Sequence, residues 1–544
     1  VALSATLGNI EQVPLLLRPT QSLPCEIITS SSSQASLKIQ VRGYIDPESV
    51  SGDEDGIPSA DDQICLDLFE VCRGDSHLVF ANSRQRTELI AAQLSDLCEQ
   101  NHVPNEFFPH HGSLAKELRE SLETRLQKEQ LPTTAICTMT LELGIDIGKV
   151  NSVAQVTAPH SVSSLRQRLG RSGRRGNASI LRMFITEKAL TERSNPIDNL
   201  RLELVQSVAM IRLLIASKWF EPADTSQYHF STLLHQVLAV TAQWGGLRPD
   251  QLYGLLCKTG PFDKVSIEQF KLLLTHMAST QLLTQLQSGE IVLGLIGERI
   301  VSHYSFYAVF NTPEEFRMVA GSKTLGTLPI DSVVIPDQHI VFGGRRWKVL
   351  EVDTEKKVIY LEPTKGGRPP KFGGHGMGVH DVIRQEMFEI LRSGEHRIAV
   401  GDNYIEFLDE TARSLMADAT RYFKDAQLES NRLIQCGKNV IFLPWMGDKI
   451  INTLAVLLKS QGYTLGAFAG VIEIENAELS DVQNVLSQFS FEPLATNEEL
   501  AKSVPAKDID KYDEFLPDEL LNLGYGCRVF DSDSTIKWLD SLSN

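Results

Sequence analysis

Residues 166–175 read Arg-Gln-Arg-Leu-Gly-Arg-Ser-Gly-Arg-Arg, five arginines in ten positions. Guanidinium groups grip phosphate oxygens in pairs and stabilise the charge that develops during phosphoryl transfer. Gly170 and Gly173 allow close backbone approach. Taken alone, the run also fits a solvated basic helix end that binds any polyanion. It does not stand alone. Upstream lie Cys137-Thr-Met-Thr-Leu-Glu-Leu-Gly-Ile-Asp-Ile-Gly148, Pro109-His-His-Gly-Ser-Leu114, Val79-Phe-Ala-Asn-Ser-Arg84 and Val1-Ala-Leu-Ser-Ala-Thr6. Small hydroxyls, glycine amides and arginines of this kind hold phosphates without reading a base.

These segments need elements that bring them together. From His77 to about Thr186 apolar strands alternate with amphipathic helices: strands at Leu78–Ala81, Glu106–Pro109, Thr134–Thr138, Val153–Val156 and Ile180–Thr186, helices at Gln85–Glu99, Lys116–Gln130 and Val162–Leu169. That pattern predicts a parallel sheet with helices on both faces, which builds its sites at the carboxyl ends of the strands. Each chemistry-bearing segment falls where a strand gives way to a loop or helix.

After about Ser194 the alternation stops. Helical patterns at Leu200–Ser217, Ser231–Thr241, Arg248–Lys258 and Ser266–Ser279 precede a hairpin, Leu282–Gln287 and Ile291–Leu295 around Ser288-Gly289-Glu290. Helices followed by a hairpin are the layout of a winged helix. Strands are expected at Phe306–Phe310, Ser332–Ile335, His339–Phe342, Trp347–Val352 and Val358–Leu361, as a small barrel or platform. Residues 364–378 read as a basic, glycine-rich loop and 46–62 as an exposed acidic one. From Asp381 onward helical and strand signals mix.

The net charge of −17 sits mostly in two places. Residues 471–544 carry 16 acids against 5 bases, and residues 46–62 carry 7 acids and no base. Phosphate affinity follows local patches, so the total excludes no nucleic-acid partner. The eight cysteines form no Cys-x-x-Cys pair, which argues against a zinc ribbon or disulfide framework and for reduced thiols in the cytoplasm. No run approaches the ~20 apolar residues of a membrane span. The chain begins at Val1 without a basic or apolar leader, and Val1 need not be the natural start.

In this order and spacing the five segments resemble motifs III, IV, IVa, V and VI of superfamily 2 helicases. Leu-Glu-Leu-Gly-Ile-Asp-Ile-Gly at 141–148, with a winged helix and a β-rich region after it, is similar to the large helicase-related (Lhr) family. Tyr304–Phe316 and Phe342–Leu350 resemble that family's accessory module. The resemblance implies an α/β chain: a RecA-like parallel-sheet motor, then winged-helix, β-rich barrel-like and α+β regions. The expected boundaries are 1–17 for the end of a first motor domain, 18–194 for the second, then 195–300, 301–385 and 386–544.

The resemblance also implies roles. Arg171 and Arg174 would act as arginine fingers toward ATP, and Gln167 would lie at the cleft between motor domains. Gly144 and Asp146 would contact the nucleotide, Asp146 through the ribose. Ser4 and Thr6 would couple hydrolysis to strand movement. Ser83, Arg84, Gly112, Ser113 and Thr138 would hold a nucleic-acid strand.

One departure outweighs any match. No Gly-x-x-x-x-Gly-Lys-Ser/Thr and no Asp-Glu-x-His/Asp occurs in the 544 residues. ATP and Mg2+ are therefore expected mainly on a first RecA-like domain, in the same or a separate chain, and this chain alone is expected to be inactive. The expected activity of the whole is ATP-dependent translocation, 3′-to-5′, on single-stranded or tailed DNA, with no membrane partner. The alternatives are an RNA helicase and a non-catalytic nucleic-acid-binding module.

Two further readings concern aromatic and histidine residues. Trp347 stands among Arg345, Arg346 and Lys348 in a strand, so it either stacks on an unpaired base or packs inward. His110 and His111 point to opposite faces of a strand, which argues against a metal pair and leaves His111 as a channel-wall residue.

Overall fold

The computed structural model describes all residues except 1, 2, 5, 18–24, 30–35, 48–57, 143, 144, 146, 174–177, 193, 311–314, 322, 330–337, 365–377, 401, 402, 492 and 544. The chain divides into two compact units. The first comprises residues 1–6, 32–221 and 313–432; the second comprises 7–31, 222–312 and 433–544.

The first unit is built on six parallel strands: β1 (Leu37–Asp46), β2 (Ser76–Ala81), β3 (Phe107–His110), β4 (Thr133–Cys137), β5 (Ser152–Val156) and β6 (Ser179–Lys188), in the order β1-β6-β5-β2-β4-β3. β2, β4 and β5 are buried along their whole length, as strands covered by helices on both faces must be. The covering helices are α1 (Ala60–Cys72), α2 (Arg84–Gln100), α3 (Lys116–Lys128), α4 (Val162–Leu169) and α5 (Leu202–Arg212). Ile64, Leu68, Val79, Ile90, Leu94, Phe107, Ile136 and Phe184 form the core on one face.

β1 was not expected. Lys38, Gln40 and Arg42 interrupt the apolar run that a buried parallel strand normally shows, because β1 is the sheet edge and pairs only with β6 among the six. The edge is protected by the chain itself. Val41 N–H donates to Phe407 O at 2.8 Å, and Asp409 N–H donates to Val41 O at 2.9 Å. α1 begins inside the expected acidic loop, since Ser59 caps it with Asp62 in a reciprocal box.

A second sheet in this unit holds five strands: β7 (Glu315–Ala320), β8 (Lys323–Pro329), β9 (His339–Phe342), β10 (Arg345–Asp353) and β11 (Val358–Pro363), in the order β8-β7-β11-β10-β9. β7 and β8 were not anticipated, and the strand expected at 332–335 lies outside the described residues. The strand expected at 306–310 is corrected. His303 caps a 3-10 turn at Tyr304–Tyr307, and Phe306 alone of its aromatics packs inward, against His235. Helices α6 (Asp381–Ser393) and α7 (Glu410–Asp425) also belong to this unit. Arg212 on α5 pairs with Glu386 on α6 at 2.8 Å. The region expected as one accessory block from 386 is thus divided at Arg432.

The second unit packs helices Phe230–Trp244 and Ile267–Ser279, the helical stretch 249–258 and a hairpin of Leu283–Gln285 with Ile291–Leu293 around one apolar core. A four-stranded antiparallel sheet from residues 433–474 has its own core with helices Asp448–Ser460 and Ser532–Ser543. Among the described residues no helix is long and apolar enough to cross a membrane.

Candidate nucleic-acid and nucleotide interface

β2, β4 and β3 are neighbours and run parallel, so the loops after their carboxyl ends stand side by side. The five expected strand contacts come from those three loops. Ser83, exposed after β2, caps α2 by accepting from Arg86 N–H at 3.1 Å. Arg84 follows it and donates to Ser113 Oγ at 2.5 Å; its guanidinium also lies 3.9 Å from Glu315. Thr138 follows β4 and donates its N–H to His110 O at 3.3 Å. Gly112 has open space where a Cβ would stand. The structure therefore gathers Ser83, Arg84, Gly112, Ser113 and Thr138 on one edge.

Motif VI occupies α4 and the turn after it. Gln167 Nε2 donates to Thr6 Oγ1 at 2.9 Å, and Thr6 N–H lies 3.3 Å from the Ser4 hydroxyl that accepts from it. Arg171 spends its guanidinium on backbone. Nη2 donates to Glu142 O and Nη1 to Ile145 O, both at 2.7 Å. It therefore ties together the backbone carbonyls of Glu142 and Ile145; Gly144 and Asp146 are the two expected nucleotide contacts of this segment. Those two residues and Arg174 lie outside the described residues. Gly173 has a separate reason to be glycine: at φ +74°, a Cβ would fall 2.7 Å from Ser179 N.

Arg168 was given no role from sequence, yet it organises the region. It is buried, makes an ion pair with Glu142 at 3.0 Å, bonds Gln155, and lies over the Phe80 ring at 4.9 Å. Gln155 continues to Asn82 Oδ1 at 3.3 Å, and Asn82 donates to Thr157 Oγ1 at 2.8 Å. One buried polar chain thus joins motifs V, VI and IV. Satisfied networks of this kind rigidify a site, and a half-satisfied one is costly. The identity of Arg168 within Gln-Arg-x-Gly-Arg was visible; its buried partners were not, since Glu142 and Gln155 lie 26 and 13 residues away.

Trp347 is corrected. It is 6% exposed, packs with Ile340, Val349 and Leu361, and donates its Nε1–H to Phe342 O at 2.7 Å. Both the ring and its polar atom are used within the sheet, so no face is offered to a base. His110 and His111 are buried on separate partners, His110 between Thr140 and Glu123, His111 against Glu88. Burial pushes the His110 imidazole below its usual range despite Glu123.

No complete nucleotide site is assembled among the described residues. The donor set supplies amide and guanidinium groups at an edge, with neither a phosphate-binding loop in the sequence nor, among the described residues, a cluster of three or more His, Cys, Asp or Glu side chains able to hold a metal.

The six-stranded parallel sheet of the first unit has a RecA-like fold. Residues 61–176 match the helicase conserved C-terminal domain. By sequence and by fold the chain resembles the C-terminal part of an Lhr-like helicase, from motif III onward. The Lhr helicase/uracil glycosylase of Escherichia coli is 24% identical over 359 residues, covering 57% of this chain and 22% of that protein. The ATP-dependent helicase Lhr-Core protein 2 of Thermococcus barophilus is 36% identical over 310 residues, covering 54% and 33%. The solved structure of Mycobacterium smegmatis helicase Lhr bound to ssDNA and AMP-PNP superposes with a TM-score of 0.63 at 18% identity, covering 99% of this chain and 72% of that one. The chain spans 22% and 33% of the length of these two curated relatives.

Proposed function

We propose that the chain is the strand-gripping and closing part of an ATP-dependent nucleic-acid helicase or translocase. It acts on single-stranded or tailed DNA with 3′-to-5′ polarity, together with a first RecA-like motor domain in the same or a separate polypeptide. The observation that carries the reading is the convergence of Ser83, Arg84, Gly112, Ser113 and Thr138 at the carboxyl ends of three adjacent strands. Hydroxyl, guanidinium and backbone N–H groups there suit the phosphates of one strand. ATP bound with Mg2+ on the first domain supplies the driving free energy. On this chain, Gln167 and Thr6 link the closing face to motif III, and Arg171 with Arg174 would face the nucleotide.

We read the helices and hairpin within 195–300 as a winged helix, and the five-stranded sheet within 301–385 as a barrel-like module. Eight unpaired cysteines support a cytoplasmic setting. The rival reading is a non-catalytic binding module; the engagement of Arg171 with backbone carbonyls favours it. A salt-titrated binding assay with single strand, duplex and tailed duplex, with and without the first motor domain and ATP, separates the two. Strand binding that responds to nucleotide supports the motor; strand binding indifferent to it supports the module. A chain that binds no strand overturns both.

A further inference from the structure

Glu88 lies on α2, four residues beyond Arg84, and its carboxylate is buried. It accepts three N–H bonds: from His111 Nε2 at 2.7 Å, Gly343 N at 2.7 Å and Gly344 N at 2.6 Å. A carboxylate only accepts, so His111 carries its proton on Nε2. His111 Nδ1 is buried with no hydrogen-bond partner among the described residues. Gly343 and Gly344 form the two-residue turn between β9 and β10, both at positive φ. A Cβ on Gly344 would stand 3.0 Å from Pro109 Cδ, so the tip of the second sheet is seated against the end of β3. His111 also meets the Phe342 ring edge-on at 5.7 Å.

A second grip lies a few residues further along. Leu114 bridges Gly326 of β8; Ala115 N–H donates to Leu325 O at 2.9 Å, and Thr327 N–H donates to Ser113 O at 2.8 Å. A Cβ at Gly326 would fall 2.1 Å from Ser113 O, so only glycine permits this approach. The short segment His111–Ala115 is thus held at both ends by the second sheet. Between those ends, the amides of Gly112 and Ser113 donate no hydrogen bond among the described residues.

We propose that Glu88 is a positioning residue for strand binding: through His111 and the Gly343–Gly344 turn it fixes the Gly112–Ser113 loop against the five-stranded sheet, holding two amides ready for a strand phosphate. This rests on the reading of that loop as a phosphate grip. The five-stranded sheet is then part of the strand track without touching the strand through Trp347. Charge-assisted bonds to a buried carboxylate are the strong kind, and removing the charge leaves three donors poorly matched.

The test uses the 544-residue chain and a fluorescein-labelled single-stranded oligothymidylate, titrated over salt. Glu88→Gln is expected to weaken binding about 10-fold, the scale of a lost hydrogen bond to a charged group. The slope of log affinity against log salt should stay that of the parent, because the two amides are neutral donors and displace no counterion. Amide exchange of residues 109–116 should speed up. A merely structural role lowers the melting temperature and leaves the strand affinity of the folded protein unmoved. Should Glu88→Gln fail to fold, Gly344→Ala, which pushes the turn away from Pro109, is read in the same way. A folded variant with parental affinity overturns the proposal while the phosphate-grip reading stands. A parent chain that binds no strand overturns that reading and this proposal with it.

Discussion

Gln167 Nε2 donates to Thr6 Oγ1 at 2.9 Å, tying two segments 161 residues apart in sequence. Thr6 is buried, and its own N–H is taken by Ser4 Oγ at 3.3 Å. Helix α4 is therefore joined to the segment of Ser4 and Thr6 through one amide–hydroxyl contact.

Thr6→Val removes the acceptor and keeps the shape of the side chain, while Gln167→Ala removes the donor. In the protein reconstituted with a first motor domain, each should lower unwinding more than ATP turnover. The double variant should be no worse than the more damaging single, with a coupling energy of about 0.5–1.5 kcal/mol, the scale of one hydrogen bond. Additive losses would show that the two residues act independently.

Arg171→Ala should reduce ATP turnover of the reconstituted protein by about 10³-fold or more, as loss of an arginine finger does. Strand affinity should hardly change. Arg171→Lys is no rescue: a single ammonium cannot reproduce the fork that reaches Glu142 O and Ile145 O together. Turnover within a few-fold of the parent in both variants would leave Arg171 with its backbone-holding role alone.

The parallel sheet was legible because β2, β4 and β5 each carry a short apolar run between amphipathic helices, and their ends announce the loops. β1 was not, because an edge strand alternates with Lys38, Gln40 and Arg42 and depends on a partner segment at 407–409, which pairing at such distance hides from any local pattern. The site residues were legible as types and spacings. Their neighbours were not: Glu142 with Arg168, and Glu88 with Gly343, meet only after the fold is made. Trp347 shows the limit of alternation. The pattern put Trp347 and Val349 on one side of β10; only the sheet's packing decides that this side is the core.

Trp347→Ala should cost about 3–5 kcal/mol of stability in chemical denaturation, the scale for truncating a buried Trp. The loss includes the bond from its indole N–H to Phe342 O. Affinity of the folded fraction for a single strand should match the parent. Weaker strand binding at unchanged stability would restore the stacking role.

The last prediction follows from Glu187 at the end of β6. Its carboxylate is buried and accepts from Leu204 N–H at 2.9 Å at the start of α5. Burial pushes its pKa up to about 7, with the nearby Glu203 acting in the same direction and Leu204 N–H opposing it. In the unfolded chain the group titrates near the ordinary carboxylate value of about 4.3. Between those two values the folded state binds more protons than the unfolded one, so stability falls as pH rises through that window and levels off above it. Glu187→Gln keeps an acceptor for Leu204 and carries no charge. The variant should therefore gain stability over the parent above about pH 7 and lose that advantage below about pH 4.3, where the parent carboxyl is protonated in both states. Denaturation midpoints measured from pH 4 to pH 8 check this. A difference between parent and variant that stays constant over that range would mean that Glu187 titrates alike in the folded and unfolded states.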